Sequence, residues 1–256
     1  LVPFWRKYAQ RYKDNTYVWF NIANEPGSVV NSTERMNLHY DMHDKICNVI
    51  RNEVGAQNII VVDAAGCGQD GCSWSKSNLK PECSTILTNG PKLMEKYDNI
   101  TFSVHTYGNW EDPSKHVDFI QKCDNLNISY HVGEAGYYSN QSDADWSRGF
   151  KNAVAVGMPE GKGVIWWHGQ PGDGFALVKE GPIHAINDME NPTNLTWSGK
   201  IFWKTGHDDG YGWNESDLPV SITDTKTAYT GVHKRLGIRF TPGYKALTYT
   251  PSFAGV

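Results

Sequence analysis

Along the chain, short apolar runs alternate with stretches whose apolar residues recur every three or four positions. The run Tyr17-Val-Trp-Phe-Asn-Ile-Ala-Asn-Glu25 is β-branched and aromatic and reads as a buried strand. Pro26-Gly27 stops it, because that pair cannot continue a ladder. Further strands are read at 58–63, 100–107, 128–134 and 163–167. Helices are read at 1–12, at 31–53 with Met42, Ile46, Val49 and Ile50 as the buried stripe, and at 91–97 and 114–123. Two more are read at 143–156, with Trp146 on its apolar side, and at 223–236. Strand and helix alternate throughout this region, which is the pattern of a parallel sheet. Residues 169–222 form a long loop insertion without confident elements, and 241–256 read as extended. No internal repeat and no low-complexity segment interrupts what reads as a single domain over 1–256.

The strand ends carry the chemistry. Asn24 and Glu25 close the first strand, His105 and Tyr107 the third, Glu134 the fourth and Trp166-Trp167 the fifth. Residues two apart on a strand share a face, so His105 and Tyr107 can line one pocket, whereas Trp166 and Trp167 point to opposite faces. Taken alone, Tyr107 and His105 read as ordinary core. A carboxylate at a buried strand end is costly unless the site uses it, and here there are two. In parallel α/β barrels the C-terminal strand ends form the mouth of the active site. Two carboxylates without metal ligands beside them suit glycosidic bond cleavage, where one must be protonated and the other ionised. Asn24 could then donate to a sugar hydroxyl, and a Trp could stack on a sugar face. The Gly- and Cys-rich loop 64–84 supplies a further indole, Trp74. Asp63 and Asp173 are weaker candidates, and Asp63 reads as a cap for the loop after its strand. His39 and His43, four apart on a helix, have a metal-like spacing but no third ligand, and read as surface residues. No metal and no cofactor is expected.

Composition narrows the context. The chain has 256 residues and a net charge of −4, which argues against a nucleic-acid or anionic-membrane partner. No apolar run approaches the ~20 residues that span a bilayer. Asn-x-Ser/Thr sequons occur at Asn31, Asn99, Asn127, Asn140, Asn194 and Asn214, a load that points to a secreted glycoprotein. Asn31 can equally cap the second helix. Five cysteines, three of them between 67 and 83, suggest one or two disulfides in that compartment. The chain opens at Leu1 and not at Met, so a processed or partial product is expected.

At these residues a resemblance becomes plain. Asn24-Glu25-Pro26 after an apolar strand resembles the acid/base motif of glycoside hydrolase family 5, a family of retaining (β/α)8 enzymes. His105-Thr-Tyr107 is similar to its strand-six pair. Gly133-Glu134-Ala-Gly136 is similar to its nucleophile motif, with Ala135 where Phe is usual. Asn21-Ile-Ala-Asn-Glu25 and Val61-Val-Asp-Ala-Ala-Gly-Cys-Gly-Gln69 resemble endo-β-1,4-mannanases of the bacterial branch, with Cys67 where Trp is common. The likeness covers about residues 1–168, plus the closing helix read at 223–236. It implies a (β/α)8 TIM barrel with Glu25 as acid/base and Glu134 as nucleophile. It also implies Asn24 at the 2-hydroxyl, Tyr107 bonded to Glu134, His105 supporting the pocket and Trp167 as a sugar platform. Retention implies carboxyl groups ~5–5.5 Å apart.

One departure outweighs the substitutions. The acid/base belongs on strand four, yet only one helix precedes Tyr17, so only strands four to eight are evident. An open five-strand remnant would expose apolar edges. Another chain or an N-terminal segment is therefore expected to complete the barrel. The expected activity is hydrolysis of a β-1,4-linked polysaccharide, mannan first, with β-glucan as the alternative. A different class also fits: a glycosylated structural or carbohydrate-binding protein that keeps the barrel without turnover.

Overall fold

The computed structural model describes residues 1–71, 81–138, 144–179 and 192–207. Among them lies one five-stranded parallel sheet in sequential order. Its strands are β1 (Phe20–Asn21), β2 (Ile60–Asp63), β3 (Ile100–His105), β4 (Tyr130–Ala135) and β5 (Val164–Trp166). Helices α1 (Val2–Tyr12), α2 (Thr33–Asn48), α3 (Thr85–Lys96), α4 (Pro113–Asn125) and α5 (Asp145–Asn152) alternate with them, and α6 (Trp197–His207) follows β5.

Alternation sets the two faces. Phe20, Ile60, Val62, Phe102, Val104, Tyr130 and Val132 join one buried cluster with Ile46, Ile50, Leu93, Phe119 and Phe150 of the helix layer. Burying side chains of this kind stabilises by about 1.5–3 kcal/mol each. Trp5 anchors α1 to this layer, its indole N–H donating to the carbonyl of Ile22 at 2.9 Å. The Asn58 amide donates to the carbonyls of Tyr12, Asn15 and Val18, which fixes the entry into β1.

Several elements differ from the sequence expectation. The first strand is far shorter than its apolar run. It pairs only with β2 among the described residues, and Tyr17 and Trp19 are 93% and 53% exposed. Helix α3 starts six residues before the expected 91, because Ser84 accepts the N–H of Leu87 and caps it, leaving Pro91 inside. Ser32, not Asn31, caps α2, accepting the N–H of Arg35. Helix α6 lies in the stretch that offered no element. Trp146, expected on the buried side of α5, is 43% exposed.

His39 and His43 are not surface residues: both are buried. His39 Nε2 lies 3.0 Å from the carbonyl oxygen of Asp63, and His43 Nδ1 lies 2.7 Å from that of His39. Burial pushes both imidazoles below their ordinary value, His43 to about 3; the neutral His39 links α2 to β2, and His43 bonds back within α2. Among the described residues Cys47, Cys67 and Cys123 are free thiols. Trp74, Asn140, Asn214, the helix expected at 223–236 and the extended stretch 241–256 lie outside the described residues.

Candidate functional site

The C-terminal ends of β1 to β4 converge on one imidazole. His105, at the end of β3, is 1% exposed. Its Nδ1 lies 2.9 Å from Glu25 Oε1 and 3.5 Å from Glu134 Oε2. Its Nε2 lies 3.3 Å from Asp63 Oδ2. The Tyr107 hydroxyl donates to Glu134 Oε2 at 3.0 Å. The ligand-type atoms of Glu25, His105 and Glu134 fall within 4.8 Å of one another. Such spacing also suits an ion, but here the carboxylates and the imidazole already partner one another.

Local chain geometry puts each group there. Glu25 follows β1 with φ at +48°, a left-handed conformation that residues other than glycine avoid. Its N–H donates to Asp63 Oδ2 at 3.1 Å. The placement of Glu134 depends on a β-bulge. Val104 pairs with Val132, but the next residue, His105, pairs with Glu134. Gly133 is the extra residue on β4. Strict alternation from the helix-facing Val132 would send Glu134 back toward the helices; the bulge re-aims it beside His105. Gly133 must be glycine, because a Cβ there would collide with the Ser103 hydroxyl on β3. Gly68 is held to the same rule: it sits over the His105 ring with φ at +72°, and its carbonyl accepts the His105 N–H at 2.7 Å.

The electrostatics follow from this packing. Burial pulls the His105 imidazole down, but the bond to Asp63, the charges of Asp63 and Glu134 and the bond to Glu25 more than reverse that, so it lies above its ordinary value. The shift favours the protonated ring, the form in which both nitrogens donate. Burial pulls Asp63 up, and the bond and charge of His105 with the N–H of Glu25 outweigh it, holding the carboxyl low. For Glu134, burial wins: its carboxyl lies above the ordinary value although His105 and Tyr107 pull it down. The Tyr107 phenol is pushed up by burial and by the Glu134 charge, and stays a donor.

Of the expected site residues, Glu25, His105, Tyr107 and Glu134 come together. Asn24 is exposed beside Glu25 at the end of β1. Trp167 is 42% exposed after β5. Trp166 lies on the other face, its ring 4.0 Å from Phe150 and 5.1 Å from Phe202; it packs the helix layer and does not line the mouth. Asp173 accepts from Phe175 N–H and lies 3.1 Å from His168 Nε2, apart from the carboxylate pair. Asp63 does not cap its following loop; it joins the site. An aromatic cluster was also missed. Phe175 meets Tyr107 at 5.6 Å, Tyr138 at 4.9 Å and Trp146 at 5.9 Å. The strand-end argument that selected Glu25 and Glu134 applies equally to Asp63, whereas nothing local marks Phe175.

A parallel strand–helix sheet with a carboxylate pair at its C-terminal strand ends defines the class: the (β/α)8 glycosidase barrels, of which this chain carries part. Residues 1–171 match the family model of Cellulase (glycosyl hydrolase family 5). The chain belongs to that family. It is 29% identical over 147 residues to the "Beta-mannanase/endoglucanase A" of Caldicellulosiruptor saccharolyticus, covering 56% of this chain and 10% of that protein. It is similar to the solved β-mannanase from Thermomonospora fusca, with a TM-score of 0.61 and 20% identity over 87% of this chain and 63% of that one. A mannohexaose complex of that mannanase matches with a TM-score of 0.61 and 19% identity, over 87% of this chain and 65% of that one. The catalytic domain of a Thermobifida fusca endoglucanase matches with a TM-score of 0.57 and 19% identity, over 80% of this chain and 62% of that one. The chain thus spans a tenth of the curated relative and under two thirds of each of these structures.

Proposed function

We infer that the chain carries the acid/base and the nucleophile of a retaining hydrolase of β-1,4-linked polysaccharide, with β-mannan as the first substrate and β-glucan as the alternative. The observation that carries this reading is the convergence of Glu25 and Glu134 on His105. Glu25 is the more exposed carboxylate and stands where it can protonate a leaving oxygen. Glu134, held by Tyr107, attacks the anomeric carbon to form a glycosyl-enzyme; Glu25 then draws a proton from water to release it. Carboxylate oxygens within 4.8 Å suit retention, because inversion needs a separation of about 6.5–9.5 Å to admit water. Asn24 is assigned to the 2-hydroxyl and Trp167 to a sugar face. Mannanases and an endoglucanase both stand among the similar proteins, which supports the linkage class more than the sugar.

The protein is read as secreted and glycosylated. Asn31, Asn99 and Asn127 are exposed, as acceptors must be, and Asn194 is half-buried. A further segment or chain is assigned to cover the open face of the sheet.

Reducing-sugar release from mannan and from carboxymethylcellulose, by the protein and by Glu134→Gln, tests the reading. Activity on one polymer should be nearly abolished in the variant, because an amide cannot form the glycosyl-enzyme. Activity on neither polymer sinks the hydrolase reading and favours a non-catalytic carbohydrate-binding protein.

A further inference from the structure

We propose that Asp63 is the positioning residue of the carboxylate pair: its side chain fixes the backbone of Glu25 and the ring of His105, and through them aims the Glu25 carboxyl. This inference rests on the hydrolase reading above and deepens it.

Asp63 ends β2, which lies between β1 and β3 in the sheet. It is fully buried. One oxygen, Oδ2, takes the N–H of Glu25 from one side and faces His105 Nε2 on the other. The far nitrogen of the same ring meets Glu25 Oε1. The contacts therefore close a ring that begins and ends on Glu25: backbone to Asp63, Asp63 to His105, His105 to the carboxyl. A loop cap would bind N–H groups that follow it in the chain. Neither partner of Asp63 lies in its following loop.

Two features show what the ring does. Glu25 holds a left-handed φ of +48°, and the N–H anchored on Asp63 belongs to that same residue. A buried carboxylate without a partner would be costly, and Asp63 Oδ2 meets that demand with the His105 ring nitrogen and the Glu25 N–H. His39 secures Asp63 from behind, with Nε2 on its carbonyl oxygen and Nδ1 3.3 Å from the Asn89 amide. The charged and titratable groups around His105 are Glu25 from the loop after β1, Asp63 from β2, and Glu134 and His131 from β4. Asp63 faces His105, His131 and the neutral pair His39 and His43 from α2.

Asp63→Asn separates the two contributions, since it keeps an oxygen acceptor and removes the charge. On whichever polymer the protein hydrolyses, kcat should fall by up to about 100-fold with KM near its original value, the signature of a misaimed group. The alkaline limb of the kcat profile should move to lower pH. Nitrogen-15 spectra should show the His105 ring losing its second proton at lower pH than in the unaltered protein. Unchanged His105 titration and an unchanged pH profile in Asp63→Asn would overturn the proposal, even if stability dropped. Should the variant not fold, spectra of the unaltered protein decide: His105 protonated at both nitrogens at neutral pH supports the ring, and a neutral ring sinks it. If the protein hydrolyses neither polymer, the hydrolase reading fails, while the His105 shift still reports whether Asp63 governs that ring.

Discussion

Toward the helices, the sheet presents Phe20, Ile60, Val62, Phe102, Val104, Tyr130 and Val132, none more than 6% exposed. Toward the other side, the same strands present a different surface. At its centre and C-terminal edge Val61, Asp63, Ser103 and His105 are buried. On the outer strands Trp19 and Ile165 are 53% and 55% exposed. In a complete (β/α)8 barrel, this second face is filled by layers of side chains drawn from all the strands. The described residues supply five strands, so the layers have contributors from one wall only. The helix-facing side is a finished core that sets stability. The other side concentrates charge and hydrogen bonds at its rim and leaves apolar surface below.

Three experiments can break or sharpen that contrast. Phe102→Ala should have the largest effect, a loss of about 3–5 kcal/mol, because it empties a fully buried site in the helix-facing core. Denaturant unfolding checks it; a loss under about 1 kcal/mol would show that this face is not where stability resides. Tyr107→Phe should leave the unfolding midpoint nearly unchanged and lower kcat/KM by roughly 10- to 100-fold, the value of a hydrogen bond to a charged group. The sign of its pH effect is fixed. In the proposed mechanism Glu134 must be ionised to attack, and its carboxyl already lies above the ordinary value. Activity should therefore fall as pH drops through a point above the usual carboxylate range. Removing the Tyr107 donor should move that acid limb higher still. Trp19→Ser should have the smallest effect, within about 0.5 kcal/mol, as for other exposed substitutions. A cost of several times that size would show that something covers this face in the folded protein.

The sequence carried much of the site and less of its support. Glu25, His105, Tyr107 and Glu134 could be located because parallel strands deliver their ends to one rim, and a strand end is a local signal. Asp63 also ends a strand, but the Gly-rich loop after it offered a local use for its carboxylate, and local explanations compete with distant ones. His39 and His43 failed for a related reason. Two polar residues four apart on a helix look solvated until the Asp63 carbonyl that needs a donor is in view. Pro91 drew the start of α3 toward itself because proline favours a first turn, while the actual cap, Ser84, lies in the preceding loop. Trp146 had the phase of a core residue, but its ring packs against Tyr138 and Phe175 and stays 43% exposed.

The extra residue at Gly133 makes the position of Glu134 a matter of parity. Glu134 lies two residues past the helix-facing Val132, an even count that a regular pleat would turn toward the helices, and only the bulge at Gly133 turns it to the rim. A β4 that kept Gly133 in the regular pleat, without the bulge, would hold every chemical group of the rim in the polypeptide and still hide one carboxylate among the helices. Two homologues can thus share both glutamates and their order, yet differ in whether the pair ever meets. What separates them is whether one residue is bulged or kept in register, and comparing strands by residue identity alone would pass over it.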